Sequence, residues 1–261
     1  MNSYDLYLEV ASDGRAMAHV LALLGCFTKA DSSEAALDAV PQAVWDYWAW
    51  LGQHGENLAE PEGTTIQVVE VVEGFGPFQH GDKAALFTPE REPIGVTEME
   101  TYLRRWSFAR ADLLTLTPNV SDYLLDWQAS VGEMSIRQIL RHVGNTNEWY
   151  LSRLVNPATL PAQWESDDKL PIFRFLAMEQ RTVTERMRKL TAKERAQVTY
   201  PTSWTDHPNE PWSARKVLRR MIEHEREHTE QIVQVLAQTI KRAEDKLAIA
   251  GPDWSKTSPR I

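Results

Sequence analysis

The chain has 261 residues, of which 43% are apolar, with 28 Lys+Arg against 37 Asp+Glu, seven histidines and a single cysteine. One cysteine excludes an intramolecular disulfide framework and a thiolate zinc cluster. No run approaches the ~18 apolar residues of a membrane span, and the start MNSYDLYLEV lacks a basic, apolar leader, so a cytoplasmic protein is expected. The net charge of −9 is unevenly spread: residues 1–95 hold 4 basic and 15 acidic residues, whereas residues 96–261 hold 24 and 22. Such a shift marks a domain boundary near residue 95. An acidic first module is ill suited to a phosphate backbone, so no direct nucleic-acid binding is expected, and a protein partner of that module would be basic.

Residues 4–10, YDLYLEV, alternate as a strand, and Asp13-Gly14 signals a turn. Residues 16–28 hold one or two short strands ending near Gly25-Cys26-Phe27, where Cys26 reads as a small buried residue. Asp31, Ser32 and Ser33 offer N-cap oxygens to a helix running to about Leu51, which Pro41 should kink or break. Residues 64–72, TTIQVVEVV, form a strand by β-branched content, which completes a small α+β module of order β-β-β-α-β. The Gly- and aromatic-rich stretch 74–83 is a loop, and 88–96, with two prolines and no periodicity, is a linker. From Thr97 the pattern changes: apolar residues recur at helical spacing over 97–115, 135–155, 172–190 and 212–247. Four amphipathic helices predict a four-helix bundle. Its long connections at 116–134, 156–171 and 191–211 could cover one end, where a site would lie. The domains are therefore 1–87, a linker 88–96, a bundle 97–250 and a tail 251–261.

His19, His54, His80 and His207 fall at strand ends or in loops and read as ordinary histidines. His142, His224 and His228 differ. His224 and His228 are four apart on the last helix, one above the other on the side near Met221. His142 falls about 60° from Ile139 on its own helix, also toward the core. Three inward imidazoles suit a divalent ion such as zinc or nickel, and three protein ligands leave a fourth position open, as in catalytic sites. Residues 224–228 also satisfy the H-E-x-x-H pattern of zinc peptidases, with Glu225 as base. The longer metzincin form is not met, because Gln231 and Gln234 stand where a glycine and a third histidine are required, so a metallopeptidase is the weaker reading. Asn145, Thr146 and Trp149 lie one to two turns beyond His142 and are candidates for lining a pocket.

GEMSIRQILRHVGNTNEWYLSRL at 132–154 and WSARKVLRRMIEHEREHTEQI at 212–232 resemble the second- and fourth-helix signatures of the DinB-like family. The resemblance covers about residues 97–245. It implies an up-down-down-up bundle and a divalent metal, zinc or nickel, held by the residues corresponding to His142, His224 and His228. It also implies a metal-dependent hydrolase or thiol-dependent transferase acting on a small-molecule or thiol substrate, and homodimers are common in the family. The alternative is a stress-related sensor or binding protein with a structural metal, its acidic module recruiting a partner. Residues 4–52, with YDLYLEV, LLGCFTKADSSEAALDAV and the following helix, resemble the HicB-like antitoxin domain, which implies a degenerate RNase H-like fold over about residues 1–75.

Overall fold

In the computed structural model, which describes residues 2–56, 63–75, 84–117, 119–160 and 170–249, the alternating N-terminal segment forms strand β1 (Asn2–Ala11). The Asp13-Gly14 turn, with Gly14 at φ 89°, returns the chain antiparallel as β2 (Ala16–His19). A single 3-10 turn at Leu21–Leu23 then leads to β3 (Phe27–Ala30), antiparallel to β2. The expected helix is two helices, α1 (Ser33–Asp38) and α2 (Val40–Gln53). Ser32 Oγ caps the first by accepting from Ala35 N at 3.2 Å. The break falls at Ala39, so Pro41 occupies the first turn of α2, where its missing N–H leaves no helical bond unmade. Strand β4 (Thr64–Phe75) runs parallel to β1 along its other edge, which gives a mixed sheet of order β3-β2-β1-β4. Of the expected loop 74–83, residues 74 and 75 belong to this strand; 76–83, with His80, lie outside the described residues, as does the tail from 250.

The four long helices are α3 (Val96–Thr115), α5 (Ile136–Ser152), α6 (Ile172–Arg188) and α8 (Ala214–Ile249), with short helices α4 (Asp122–Leu125) and α7 (Ala192–Ala196) in the connections. Packing pairs α3 with α8 and α6, and α5 with α6 and α8. Ser135 and Gln138 form a reciprocal capping box that fixes the start of α5. Of the apolar residues that set the helical periodicity, Met99, Trp106, Ile139, Val143, Leu176, Val217 and Met221 are buried, whereas Phe173 is exposed and Phe175 on the same helix is buried instead.

The first module does not hang off the bundle. One apolar cluster runs from Leu6 and Leu8 on the sheet through Tyr47 on α2 to Met99 and Trp106 on α3 and Leu218 and Ile222 on α8. The segment expected as a linker is packed: Thr88–Arg91 forms a 3-10 turn, Glu90 and Ile94 are both buried, and Phe87 N donates to Glu90 Oε2 at 3.0 Å. The reason lies on α8, which carries ionisable side chains that must find partners once buried. Arg219 Nε donates to Glu90 Oε1 at 2.7 Å and its Nη1 to Glu223 Oε2 at 3.2 Å. Lys216 Nζ donates to Ala84 O at 2.5 Å and Glu210 Oε1 at 2.7 Å, and burial pulls its pKa down to about 8.

Two changes test this joint. Gly25 sits at φ 92°, a left-handed conformation that side chains resist, and a Cβ there would collide with the Ile222 side chain on α8. Gly25→Ala is expected to cost about 2–4 kcal/mol, read as a lower urea midpoint at unchanged slope. Arg219→Met leaves the buried Glu90 without its cation, although Glu223 keeps Arg220 and His19, and a loss of about 3–5 kcal/mol is expected in the same measurement. A melting temperature within a degree of the parent for either variant would contradict the joint.

Candidate metal centre

The packing of α5 against α8 brings together three histidines that are 82 and 4 residues apart in the chain. His142 Nε2 lies 3.1 Å from His224 Nε2, which lies 3.0 Å from His228 Nε2. One ligand atom from each falls within a 4.8 Å group, which is the group of His, Cys, Asp and Glu with metal-holding spacing among the described residues. A tetrahedral ion about 2.05 Å from each nitrogen would ask for separations of about 3.3 Å. Hydrogen bonding alone does not explain the cluster, because His224 Nε2 faces two other ring nitrogens and carries at most one hydrogen. Gln231 Oε1 accepts from His228 Nδ1 at 2.6 Å, which leaves the Nε2 lone pair of His228 directed into the cluster. Thr146 Oγ1 stands 3.5 Å from His142 Nδ1, and the Tyr150 ring meets His224 edge-on at 6.0 Å between centroids. Burial, assisted by neighbouring His228, pulls the His142 pKa down to about 4. His224 and His228 are also lowered, by burial above all. The three imidazoles are thus neutral at pH 7, the form that donates a lone pair. The residues present fit a divalent ion.

Glu225, the candidate base, is placed elsewhere. It is fully buried among four hydrogen-bond donors: Trp106 Nε1 at 2.6 Å, Asn147 Nδ2 at 2.8 Å, and Arg110 through Nε at 3.0 Å and Nη2 at 2.8 Å. Arg110 also donates to Glu179 Oε2 at 2.9 Å and Leu176 O at 3.0 Å. This carboxylate therefore ties α8 to α3 and α5 and is spent on structure. At about 100° per residue Glu225 lies about 40° round the helix from Met221, on the side opposite the histidines, and that side faces Trp106 and Arg110 on α3.

A cleft of about 1500 Å³ opens over the triad. Asn145, Thr146 and Trp149, the sequence candidates, all line it. The connection 191–211 contributes Trp204, Thr205, Asp206 and His207 and the connection 116–134 contributes Met134, whereas no described residue of 156–171 lines the cleft. The 191–211 loop is pinned to α5: Trp149 Nε1 donates to Trp204 O at 2.6 Å and Arg153 Nη2 to Ser203 O at 2.8 Å. Trp204 itself is held at φ 54° with its side chain exposed.

Sequence reasoning missed the opposite wall. Met17, Phe27 and Lys29 from the sheet and Gln42 and Asp46 from α2 line the same cleft, and Lys29 Nζ pairs with Glu227 Oε1 at 3.3 Å. No short motif marks such residues, because they meet α8 only through the fold. His19 was also misjudged. It is fully buried at the end of β2, its Nδ1 2.7 Å from Glu223 Oε1 and its Nε2 3.4 Å from Glu9 Oε1. Burial opposes its charge, but Glu223 outweighs this and holds the pKa above the usual histidine value. A signal was available in the run AMAHVLALL at 16–24, which has no polar alternation and so fits a strand buried on both faces, as Ala16–His19 is. His54 joins α2 to α3, its ring stacked on Phe108 at 4.4 Å and its Nε2 3.1 Å from Asp112.

No helix among the described residues is long and apolar enough to cross a membrane. No curated protein matches the chain. Among solved structures, the chain is similar to YfiT from Bacillus subtilis, described as a probable metal-dependent hydrolase with an unusual four-helix bundle topology. The two are 16% identical, the match covers 60% of this chain and 94% of that one, and the TM-score is 0.43. Residues 105–232, which span α3 to the triad-bearing part of α8 and include all three histidines, match the model of the DinB superfamily.

Proposed function

We propose that the chain is a metal-dependent hydrolase of the DinB-like kind, with a divalent ion, zinc or nickel, held by His142, His224 and His228. The observation that carries this is the convergence of three neutral imidazole nitrogens beneath a cleft, with no fourth carboxylate, thiol or imidazole in the group among the described residues. Structural zinc sites are closed by four protein ligands, whereas three leave a position for water or substrate. When bound, such an ion supplies Lewis acidity to an oxygen or sulfur atom in that position. Gln231 and Thr146 orient two of the ligand rings from behind. Trp149, Tyr150 and Trp204 give the cleft an aromatic wall for the apolar part of a small substrate. With Glu225 enclosed, proton transfer falls to carboxylates that reach the cleft, namely Glu227, Glu230, Asp46 and Asp206. A thiol transferase would use the same site with a thiolate in the open position.

For the first module we infer a degenerate RNase H-like fold of the HicB-like kind, supported by the chain order of three strands, helix and fourth strand. Its part in the protein is to wall the cleft, since Met17, Phe27 and Lys29 face the triad-bearing helix across it.

Calorimetric titration of metal-stripped protein with zinc or nickel should show one equivalent bound, lost in each of His142→Ala, His224→Ala and His228→Ala while circular dichroism stays unchanged. Full stoichiometry in all three variants would refute the site. Because burial lowers all three histidines below the ordinary value of ~6.5, His142 to about 4, protons compete with the metal at lower pH than they would at exposed histidines. Affinity should therefore stay nearly constant from pH 7.5 down to about the ordinary histidine value of ~6.5 and fall below it. Glu225→Gln is expected to keep the metal equivalent but cost about 2–3 kcal/mol of stability, because Arg110 loses half of its charge partner. A stable variant with metal bound and hydrolysis abolished would return Glu225 to the role of base.

A further inference from the structure

We infer that a second, smaller pocket, at the joint between the first module and the bundle, binds a small organic ammonium ion. The pocket measures about 370 Å³, within the range of small-molecule sites, and shares no lining residue with the cleft over the triad. Strand β2 pairs with β1 only from Tyr7 to Val10. Ser3 and Asp5, which lie ahead of that pairing, line the pocket together with Leu21 and Ala22 from the 3-10 turn that follows β2. Glu98 and Tyr102 on α3 and Arg215 on α8 close it from the bundle side.

The balance of charge fixes the sign of the ligand. Arg215 is the one cation among the described lining residues, and four of its five N–H groups are spent. It donates to both oxygens of Glu98, from Nη2 at 2.8 Å, and to Glu92 O at 3.1 Å and Pro93 O at 3.0 Å. Tyr102 Oη donates to the same carboxylate at 2.9 Å, so this wall is fixed. Glu90, also in the lining, is held by Arg219 at 2.7 Å. Asp5 is exposed and has no ion-pair partner among the described residues. An anion would therefore meet a carboxylate with no cation left to hold it, whereas an ammonium meets its counter-charge.

Tyr7 supplies the observation that calls for a ligand. It is only 8% exposed, with its ring 5.3 Å from that of Phe87, yet its hydroxyl makes no hydrogen bond with any described residue. The other buried tyrosines are satisfied: Tyr47 donates to Leu24 O at 2.6 Å, Tyr4 accepts from Trp48 Nε1 at 3.1 Å, and Tyr150 bonds Arg220. A buried phenol without a partner is uncommon. The Tyr7 hydroxyl is not sealed away either, since the residue lines the pocket with Asp5. Burial, followed by the charges of Asp5 and Glu70, holds its pKa above the ordinary tyrosine value, so at neutral pH its oxygen is that of a neutral phenol in a negative field. An ammonium N–H can donate to this oxygen and to Asp5, and the rings of Tyr4, Tyr7 and Tyr102 supply aromatic faces that favour a cation.

Calorimetric titration of the full chain at neutral pH with benzylammonium, and with benzyl alcohol and benzoate as its neutral and anionic counterparts, tests the pocket. One benzylammonium per chain is expected to bind at about 1 mM or tighter. The alcohol should bind at least about tenfold more weakly and benzoate not at all. Because the pocket is lined from both the first module and the bundle, the ammonium should also raise the melting temperature as its concentration rises. Asp5→Asn should weaken binding by at least about tenfold and Tyr7→Phe by about threefold or more. Should Tyr7→Phe lose its melting transition, Ala22→Trp, at an exposed lining position, should fill the pocket and abolish binding. Amines also ligate metal ions, so His224→Ala serves as the control and should leave the affinity unchanged. No saturable binding, which would leave the Tyr7 hydroxyl to water alone, equal affinity for the alcohol, binding indifferent to Asp5→Asn or to Ala22→Trp, or binding lost in His224→Ala would each overturn the inference.

Discussion

Burying charge is costly unless each charge meets its opposite in good geometry, and this constraint governs the first half of α8. Between Lys216 and Glu225 the helix places Lys216, Arg219, Arg220, Glu223, His224 and Glu225 out of solvent. Each set finds its partners in a different direction. Lys216, Arg219 and Glu223 are satisfied by the segment 84–90 and the sheet through Ala84, Glu90 and His19. Glu225 is satisfied by Trp106 and Arg110 on α3 and Asn147 on α5. His224 is left with the two other histidines. One helix thus assembles the sheet, the bundle and the triad by leaving no other low-energy way to hide its polar groups.

The helices and the triad were legible because both are written in local spacing. A 3.6-residue period and an i,i+4 pair survive without knowledge of the fold, and His142 could be added because its own helix pointed it inward. Pro41 likewise marked a break in the first helix from its chemistry alone, and the break falls two residues before it. The rest depended on contacts between distant segments. Glu225 was read from its place in H-E-x-x-H, but a fully buried Arg110, 115 residues away, claims it. His19 sat at a strand end that becomes interior only because α8 packs over it. Segment 88–96 looked like a linker because a 3-10 turn with two prolines has no periodicity, although Glu90 is among its most tightly held residues.

The charge division near residue 95 is real in the sequence but is not a mechanical boundary. The apolar cluster and the Arg219 network cross it, so the acidic first module and the near-neutral bundle share a core. Their meeting surface also leaves a gap, and the cleft over the triad is that gap, with Lys29 and Glu227 bridging its two sides. The site's dimensions are therefore set by how closely the sheet rides on α8, and hence by a glycine at position 25 that lets Ile222 approach.

Trp204 shows where stability and the shape of the cleft pull apart. A tryptophan at φ 54° occupies backbone space that glycine or asparagine fills at lower cost, and it is retained there by the bonds from Trp149 and Arg153 to the loop. Replacement by glycine would relieve the backbone and strip the cleft of its outermost indole in the same step. A variant optimised for heat resistance alone would drift toward that exchange, gaining stability by emptying the wall over the histidines.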